Sequence, residues 1–222
     1  MILAIDTAAN LCAACIHDAD RELGRAVRDI GKGHAEQLMD VIGEAMGSAG
    51  LTYADLDAIA VAVGPGSFTG IRVGVATARG LALALKIPAI GVTTLEALAY
   101  QARELNRPVS VTAAIDAGRD GLYVALYDDL GNGVHAPQIA GIDEAMRLAM
   151  EGEMICGSAA RRIADAAGVA ERVVAPLTAT ADIGTYARLA AIKPRDGAKP
   201  KPLYLRAPDA KPQAHAILAR KP

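Results

Sequence analysis

A chain of 222 residues makes one large domain or two small ones, and a hydrophobic share of 52% is ample for a core. Aromatic residues are only 3% and the apolar excess is mostly alanine, which excludes an aromatic-rich core and demands close packing of small side chains. A net charge of −2 excludes a general nucleic-acid binder, but the charge is uneven: residues 193–222 hold eight Lys/Arg against two Asp/Glu, the remainder fifteen against twenty-three.

Residues 2–6 read as a strand that follows Met1 directly, with no basic stretch of the kind a signal peptide carries. The polar turn from Asp6 to Asn10 closes it. Residues 11–17 and 21–30 are two further strands joined at Asp18-Ala19-Asp20, so the chain opens as an antiparallel meander. Asp6 has two readings: it closes a turn, or it holds metal and phosphate in the first hairpin, as in actin-like ATPases. Cys12 and Cys15 lie three apart in a strand, so their thiols face opposite sides of the sheet and form no metal or redox pair. Three cysteines, odd in number, fit a reducing cytosol, and a cytoplasmic location is expected.

A helix over residues 34–49 follows. Leu38, Val41, Ile42, Ala45, Met46 and Ala49 form one apolar stripe, widened by Ala35, Met39 and Gly43. Such a stripe packs on the sheet or on a partner chain. His34 opens this helix with no second histidine within a turn, which favours capping or solvation over ligation.

The apolar strand 59–63 ends in Gly64-Pro65-Gly66, then Ser67-Phe68-Thr69-Gly70, then a helix over 71–86. Glycines at a turn that opens a helix gather unpaired N–H groups, the construction of an anion cradle. The spacing matches neither Walker A nor the dinucleotide fingerprint, and the other reading is a tight strand-to-helix turn. In the helix, Arg72, Arg79 and Lys86 lie seven apart along one polar line, and the other faces are small or apolar apart from Thr77. Burial on most sides is expected, or an interface where the fold leaves it open. No apolar run approaches the ~20 residues that span a bilayer, so no membrane contact is expected. A short strand over 87–92 and a helix capped by Thr93 or Thr94 lead to Asn106-Arg107-Pro108, the internal boundary.

Residues 109–115 form a strand ending at Asp116, and residues 122–127 return antiparallel. This repeats the opening motif 110 residues later, Asp116 answering Asp6. Beyond lie helices over 142–150 and 159–167, a brief strand at 154–156, and a helix N-capped by Asp182. The tail from Lys193 carries six of the chain's eleven prolines, with an extended segment at 202–206 and a mobile, solvated end beyond.

The run GPGSFTGIRVGVATARGLALALKIPAIGVTTLEALA (residues 64–99) strongly resembles the bacterial TsaB family, also called YeaZ. ILAIDTA (2–8), DAGRDGLYVALYD (116–128) and PLYLR (202–206) resemble its other landmarks, and the match is good over residues 1–129 and loose beyond. The resemblance implies an α/β chain with an actin-like (ASKHA, ribonuclease H-like) fold of two duplicated lobes, the second reduced. It would comprise residues 1–106, 107–192 and a basic tail over 193–222.

The resemblance also implies a role. TsaB proteins are non-catalytic partners of TsaD, which makes threonylcarbamoyladenosine in tRNA. They pair with it through a helical bundle, are joined by the ATPase TsaE, form homodimers in isolation, and meet tRNA through the complex. TsaD proteins carry His-x-x-x-His after the equivalent strand, whereas here Thr94 and Leu98 stand in those places around Glu96. Leucine cannot ligate a metal, and His17, His34, His135 and His215 are scattered. No catalytic or metal residues are therefore expected. The seam with TsaD is expected at His34, Leu38, Val41, Ile42, Ala45, Ile71, Arg72, Val75 and Arg79. No cofactor is required, and Gly64, Gly66, Ser67, Thr69 and Gly70 are candidate contacts for ATP or ADP at the joint. The competing reading is an enzyme, either an ATP-dependent phosphotransferase or an M22-type metallopeptidase, using Asp6 and Asp116.

Overall fold

A computed structural model describes residues 1–18 and 21–206. Strands β1 (Ile2–Asp6), β2 (Leu11–Asp18) and β3 (Arg21–Asp29) form the expected meander. Helix α1 (His34–Ala49) crosses back over β2 and β3 and ends at Gly50, whose left-handed conformation suits a residue without Cβ. β4 (Ala58–Ala62) then lies parallel to β1, with Leu3 opposite Ile59. Helix α2 (Phe68–Leu85), β5 (Ala89–Val92) and α3 (Thr94–Leu105) complete the first lobe. Its sheet has the order β3-β2-β1-β4-β5.

The second lobe holds β6 (Val111–Gly118), β7 (Gly121–Tyr127), β8 (Gly133–Ala140), α4 (Ile142–Glu151), β9 (Met154–Cys156) and α5 (Ala160–Ala167). Its sheet has the order β8-β7-β6-β9. Each sheet is an antiparallel meander with a parallel strand laid beside the meander's first strand, and only the first lobe adds a fifth. This is the actin-like, ribonuclease H-like plan of two duplicated lobes, the second reduced.

Every residue of β1 and β4 is buried, the pattern of strands covered on both faces. One cover is α1 and α2. The other is the last helix, α6 (Ile183–Ile192), which packs on β1 and β2 and carries Tyr186 fully buried into the first core. The boundary at residue 106 therefore divides the sheets but not the core, because α6 returns to the first lobe. Cys12 and Cys15 are both buried for the same reason, on opposite faces of a doubly covered strand.

Residues 193–206 contain no helix or strand, yet they are bonded down along their length. Lys193 Nζ reaches Glu96 at 2.7 Å, the Leu203 N–H donates to Val63 O at 2.8 Å, and Arg206 Nη2 donates to Gly118 O at 3.1 Å. The segment is a strap from the first lobe to the β6–β7 hairpin of the second. The end of the basic tail (207–222, with His215) and the tip of the first long turn (19–20) lie outside the described residues.

α2 is long and apolar enough to cross a membrane by length and hydropathy, which corrects the expectation that no run comes near that length. A third of it is buried against the sheet, and Arg72 and Arg79 occupy its outer side.

Candidate functional site

The turn after β4 has the glycine pattern of an anion cradle, but its glycines serve close packing. A Cβ on Gly66 would lie 2.2 Å from Ala8 O, and one on Gly70 would lie 2.0 Å from Thr7 O. These glycines let the turn press onto the β1–β2 hairpin. Two of its donors are engaged within the chain: the Ser67 N–H donates to Ala8 O at 2.7 Å, and the Gly70 N–H donates to Ser67 Oγ at 3.3 Å. The Thr7 hydroxyl donates to Gly70 O at 2.7 Å. The polar residues 67–70 are the cap and first turn of α2, which starts three residues earlier than expected because Ser67 caps it. Gly64, Gly66, Ser67, Thr69 and Gly70 thus form a tight strand-to-helix turn, with Ser67 and Thr69 exposed at its outer edge.

Asp6 and Asp116 do not form a pair. Asp6 is 1% exposed and accepts from the Ala8 N–H at 2.8 Å. Burial pushes its pKa up to about 6, against the opposing pull of the Ala8 N–H, the Thr180 hydroxyl and the charge of His34. Asp116 instead lines the cleft between the lobes, a space of about 190 Å³ shared with Ala8, Gly66, Ser67 and Tyr123, and Asp6 is not part of that lining. The Arg162 guanidinium lies 3.6 Å from its carboxylate. Only one of the two carboxylates that a phosphotransferase would need faces the cleft.

The metal position is likewise filled. Thr94 and Leu98 are fully buried on α3, facing the core. Glu96 closes a capping box with Thr93 and pairs with Lys193, so its carboxylate belongs to the helix start and the strap. The Tyr186 ring of α6 is buried beside them. Neither its hydroxyl nor that of Thr94 has a well-formed hydrogen bond, and burial together with the Asp6 charge raises the Tyr186 pKa well above its ordinary value. Among the described residues no three His, Cys, Asp or Glu side chains converge as metal ligands. The donor set here does not fit a metal ion.

The seam residues require the main correction. His34, Leu38, Val41, Ile42, Ala45, Ile71 and Val75 are all buried in the chain's own core. The His34 ring sits 3.2 Å from Leu11 O. Of the nine residues expected at a partner interface, only Arg72 and Arg79 reach solvent. The apolar stripe of α1 faces β2 and β3, and that of α2 faces β4. What the fold leaves open is the reverse side of the same helices. Ala35, Met39, Gly43 and Gly47 run along α1 at every fourth position, and Arg72, Ala76, Arg79, Gly80 and Leu83 run along α2. Met39 is 48% and Leu83 77% exposed. The i, i+4 line of small residues on α1 is visible in the sequence, but the larger side chains of the inward stripe are the stronger periodic signal, and they mark the chain's own core.

Comparison with known proteins places this arrangement. The family model described as TsaD, tRNA N6-adenosine threonylcarbamoyltransferase, matches residues 28–182. The chain is 36% identical over 133 residues to the tRNA threonylcarbamoyladenosine biosynthesis protein TsaB of Escherichia coli (strain K12), covering 60% of this chain and 57% of that protein. It spans about half of the Bacillus subtilis (strain 168) TsaB, at 34% identity and 54% of that protein. It is 37% identical over 221 residues to an uncharacterized protein of Mycobacterium tuberculosis (strain ATCC 25618 / H37Rv), covering 96% and 95% of the two chains. Among solved structures, YeaZ from Pseudomonas aeruginosa superposes with a TM-score of 0.66 at 27% identity, covering 86% of this chain and 90% of that one. Another Pseudomonas aeruginosa protein, described as similar to peptidase YeaZ, reaches 0.70 at 26% identity over 92% and 99%.

Proposed function

The chain belongs to the TsaB (YeaZ) family, and from that premise we propose that it serves tRNA threonylcarbamoyladenosine biosynthesis as a non-catalytic subunit paired with a TsaD-type transferase. The observation that carries the reading is the burial of the positions that would hold a ligand. Asp6 is sealed under the first hairpin, the would-be metal positions are Thr94 and Leu98 in the core, and Glu96 is tied to Lys193. A chain that keeps the two-lobed plan while burying its ligand-holding positions supports another subunit more readily than it catalyses.

The surface that pairs is the outer side of α1 and α2. Its glycines and alanines allow close helix approach, and Met39 and Leu83 supply apolar contact. The same surface would close a homodimer when no TsaD is present, and a TsaE-type ATPase would join the assembled pair. A nucleotide at the joint would take its phosphate contacts from the transferase, because the glycine turn here is pressed onto Thr7 and Ala8. A protein of this role works in the cytoplasm.

The test is co-expression with the TsaD homologue of the same organism, followed by a tRNA modification assay with and without this chain. Stable co-purification and modification that depends on the chain are expected. Modification that proceeds equally well without it would sink the proposal.

A further inference from the structure

We propose that a second surface, a basic groove at the far end of α2, binds the phosphodiester backbone of RNA. The inference builds on the role in tRNA modification; Arg79, Gly80 and Leu83 line both this groove and the α1–α2 seam, whereas Lys86, Arg195 and Lys199 lie outside the seam. The groove has a volume of about 530 Å³ and lies between the last turns of α2 and the first part of the strap. Its floor is aliphatic, from Ala82, Leu83, Ile87 and Pro88. Its charged lining is Arg79, Lys86, Arg195 and Lys199, with no carboxylate among the lining residues. Four cations in a chain of net charge −2 make a local footprint that whole-chain charge conceals.

These cations are unspent. The side chains of Arg79, Lys86 and Lys199 make no hydrogen bond or ion pair among the described residues. Asp57, an acidic neighbour, is held by the N-terminal ammonium, and Arg195 adds to the field that lowers its pKa; Asp196, exposed on the strap between Arg195 and Gly197, does not line the groove. Exposed cations left without partners around an apolar floor call for an anion with an apolar body.

Two features favour a polynucleotide backbone over a compact phosphate. The groove sits at the C-terminal end of a helix, where the backbone presents carbonyls. The Lys86 and Ile87 N–H groups are already spent on Leu83 O and Ala82 O at 3.4 and 3.1 Å. Among the described residues that line the groove, no helix N-terminus offers its N–H groups to a terminal phosphate as nucleotide sites do. The positive charge also continues along the strap to Lys201, exposed on the same segment. Side-chain cations strung along a segment match phosphodiesters, which carry one charge each and are bound mainly by Lys and Arg.

The experiment titrates fluorescently labelled unmodified tRNA with the full chain and follows anisotropy across a salt series. Two variants are compared with it, Lys86→Glu/Arg195→Glu/Lys199→Glu and Arg195→Glu/Lys199→Glu. The second leaves the helix end untouched and guards against a folding defect. The triple variant is expected to bind at least tenfold more weakly at low salt. Its slope of log affinity against log salt should fall by about 2–3, at about 0.7–0.9 per lost phosphate contact. Unchanged affinity and slope in both variants would overturn the assignment. So would displacement of the tRNA by millimolar ATP but not by KCl of equal ionic strength, which would make the groove a mononucleotide site. Co-purification of the triple variant with the TsaD homologue is scored separately. Loss of pairing by the wild-type chain counts against the proposed function, and loss of the salt-slope difference counts against this groove.

Discussion

Arg72 donates from Nε to the Tyr204 hydroxyl at 2.7 Å, and its guanidinium lies 3.8 Å from the centre of the Phe68 ring. The contact joins the first turn of α2 to the strap, 132 positions later in the chain. Arg72 was expected to reach a partner chain, but its polar edge is already engaged within its own. All three side chains are exposed, so the cluster is worth about 1 kcal/mol. Tyr204→Ala should lower stability by about that amount and speed proteolytic cleavage within residues 193–206, with the two lobes left folded. Limited trypsin digestion followed by mass spectrometry reads this directly, and an unchanged cleavage rate would show that the Lys193, Leu203 and Arg206 contacts hold the strap without Tyr204.

Gly70 and Gly43 are both helical and should respond oppositely to alanine. At Gly70 the new Cβ meets Thr7 O at 2.0 Å, so the turn or the first hairpin must move. A loss of roughly 2–3 kcal/mol is expected, as for an overpacked core site. At Gly43 nothing lies within 4 Å of the added Cβ, and the gain in helix propensity should stabilise by about 0.5–1 kcal/mol. Urea unfolding of the two variants tests both signs together. If Gly70 instead existed to admit a phosphate, Gly70→Ala would fold normally.

Much of the framework was legible because strong period and turn signals coincide. α1 spans the expected residues, Asp182 caps α6 as its sequence position suggests, and the meander at 2–30 is where apolar runs and Asp/Asn turns put it. β8 was not expected. It is an edge strand carrying Gly133 and Pro137, with most residues at least partly exposed, so it lacks the apolar run that marks a strand. The site was less legible than the fold. A wide stripe on α1 could have faced either a sheet or a partner, and sequence periodicity gives the stripe without the direction. The return of α6 to the first lobe, which buries Tyr186 by Thr94, is a long-range event with no local signature.

The pH dependence of stability should carry the mark of Asp6. Its carboxyl is raised from 3.8 to about 6 in the folded state, so the folded chain binds this proton more tightly than the unfolded chain does. Stability therefore falls as pH rises from about 4 through about 6, and the cost of the buried charge is fully present above that. Two pH units at about 1.4 kcal/mol each give roughly 3 kcal/mol. Asp6→Asn keeps an oxygen for the Ala8 N–H and removes the titration. The difference in unfolding free energy between variant and wild type should be small at pH 4.5 and favour the variant by about 1–3 kcal/mol at pH 8. Parallel curves across that range would show that the Asp6 environment does not resist ionisation.

The corrected seam predicts which substitutions separate folding from pairing. Ile42 is fully buried, and Ile42→Asp should cost more than about 3 kcal/mol and unfold the chain whether or not a partner is present. Met39 and Leu83 point outward from the same two helices, so Met39→Glu and Leu83→Glu should leave the urea midpoint nearly unchanged, within about 0.5 kcal/mol. Each should nevertheless weaken association with the TsaD homologue at least tenfold, because a carboxylate placed between close-packed helices loses its solvation. Sedimentation velocity of the isolated variants would follow any homodimer through the same surface. Normal association by both glutamate variants would move the partner away from α1 and α2. Unfolding by either would mean that these side chains carry more of the chain's own packing than their exposure indicates.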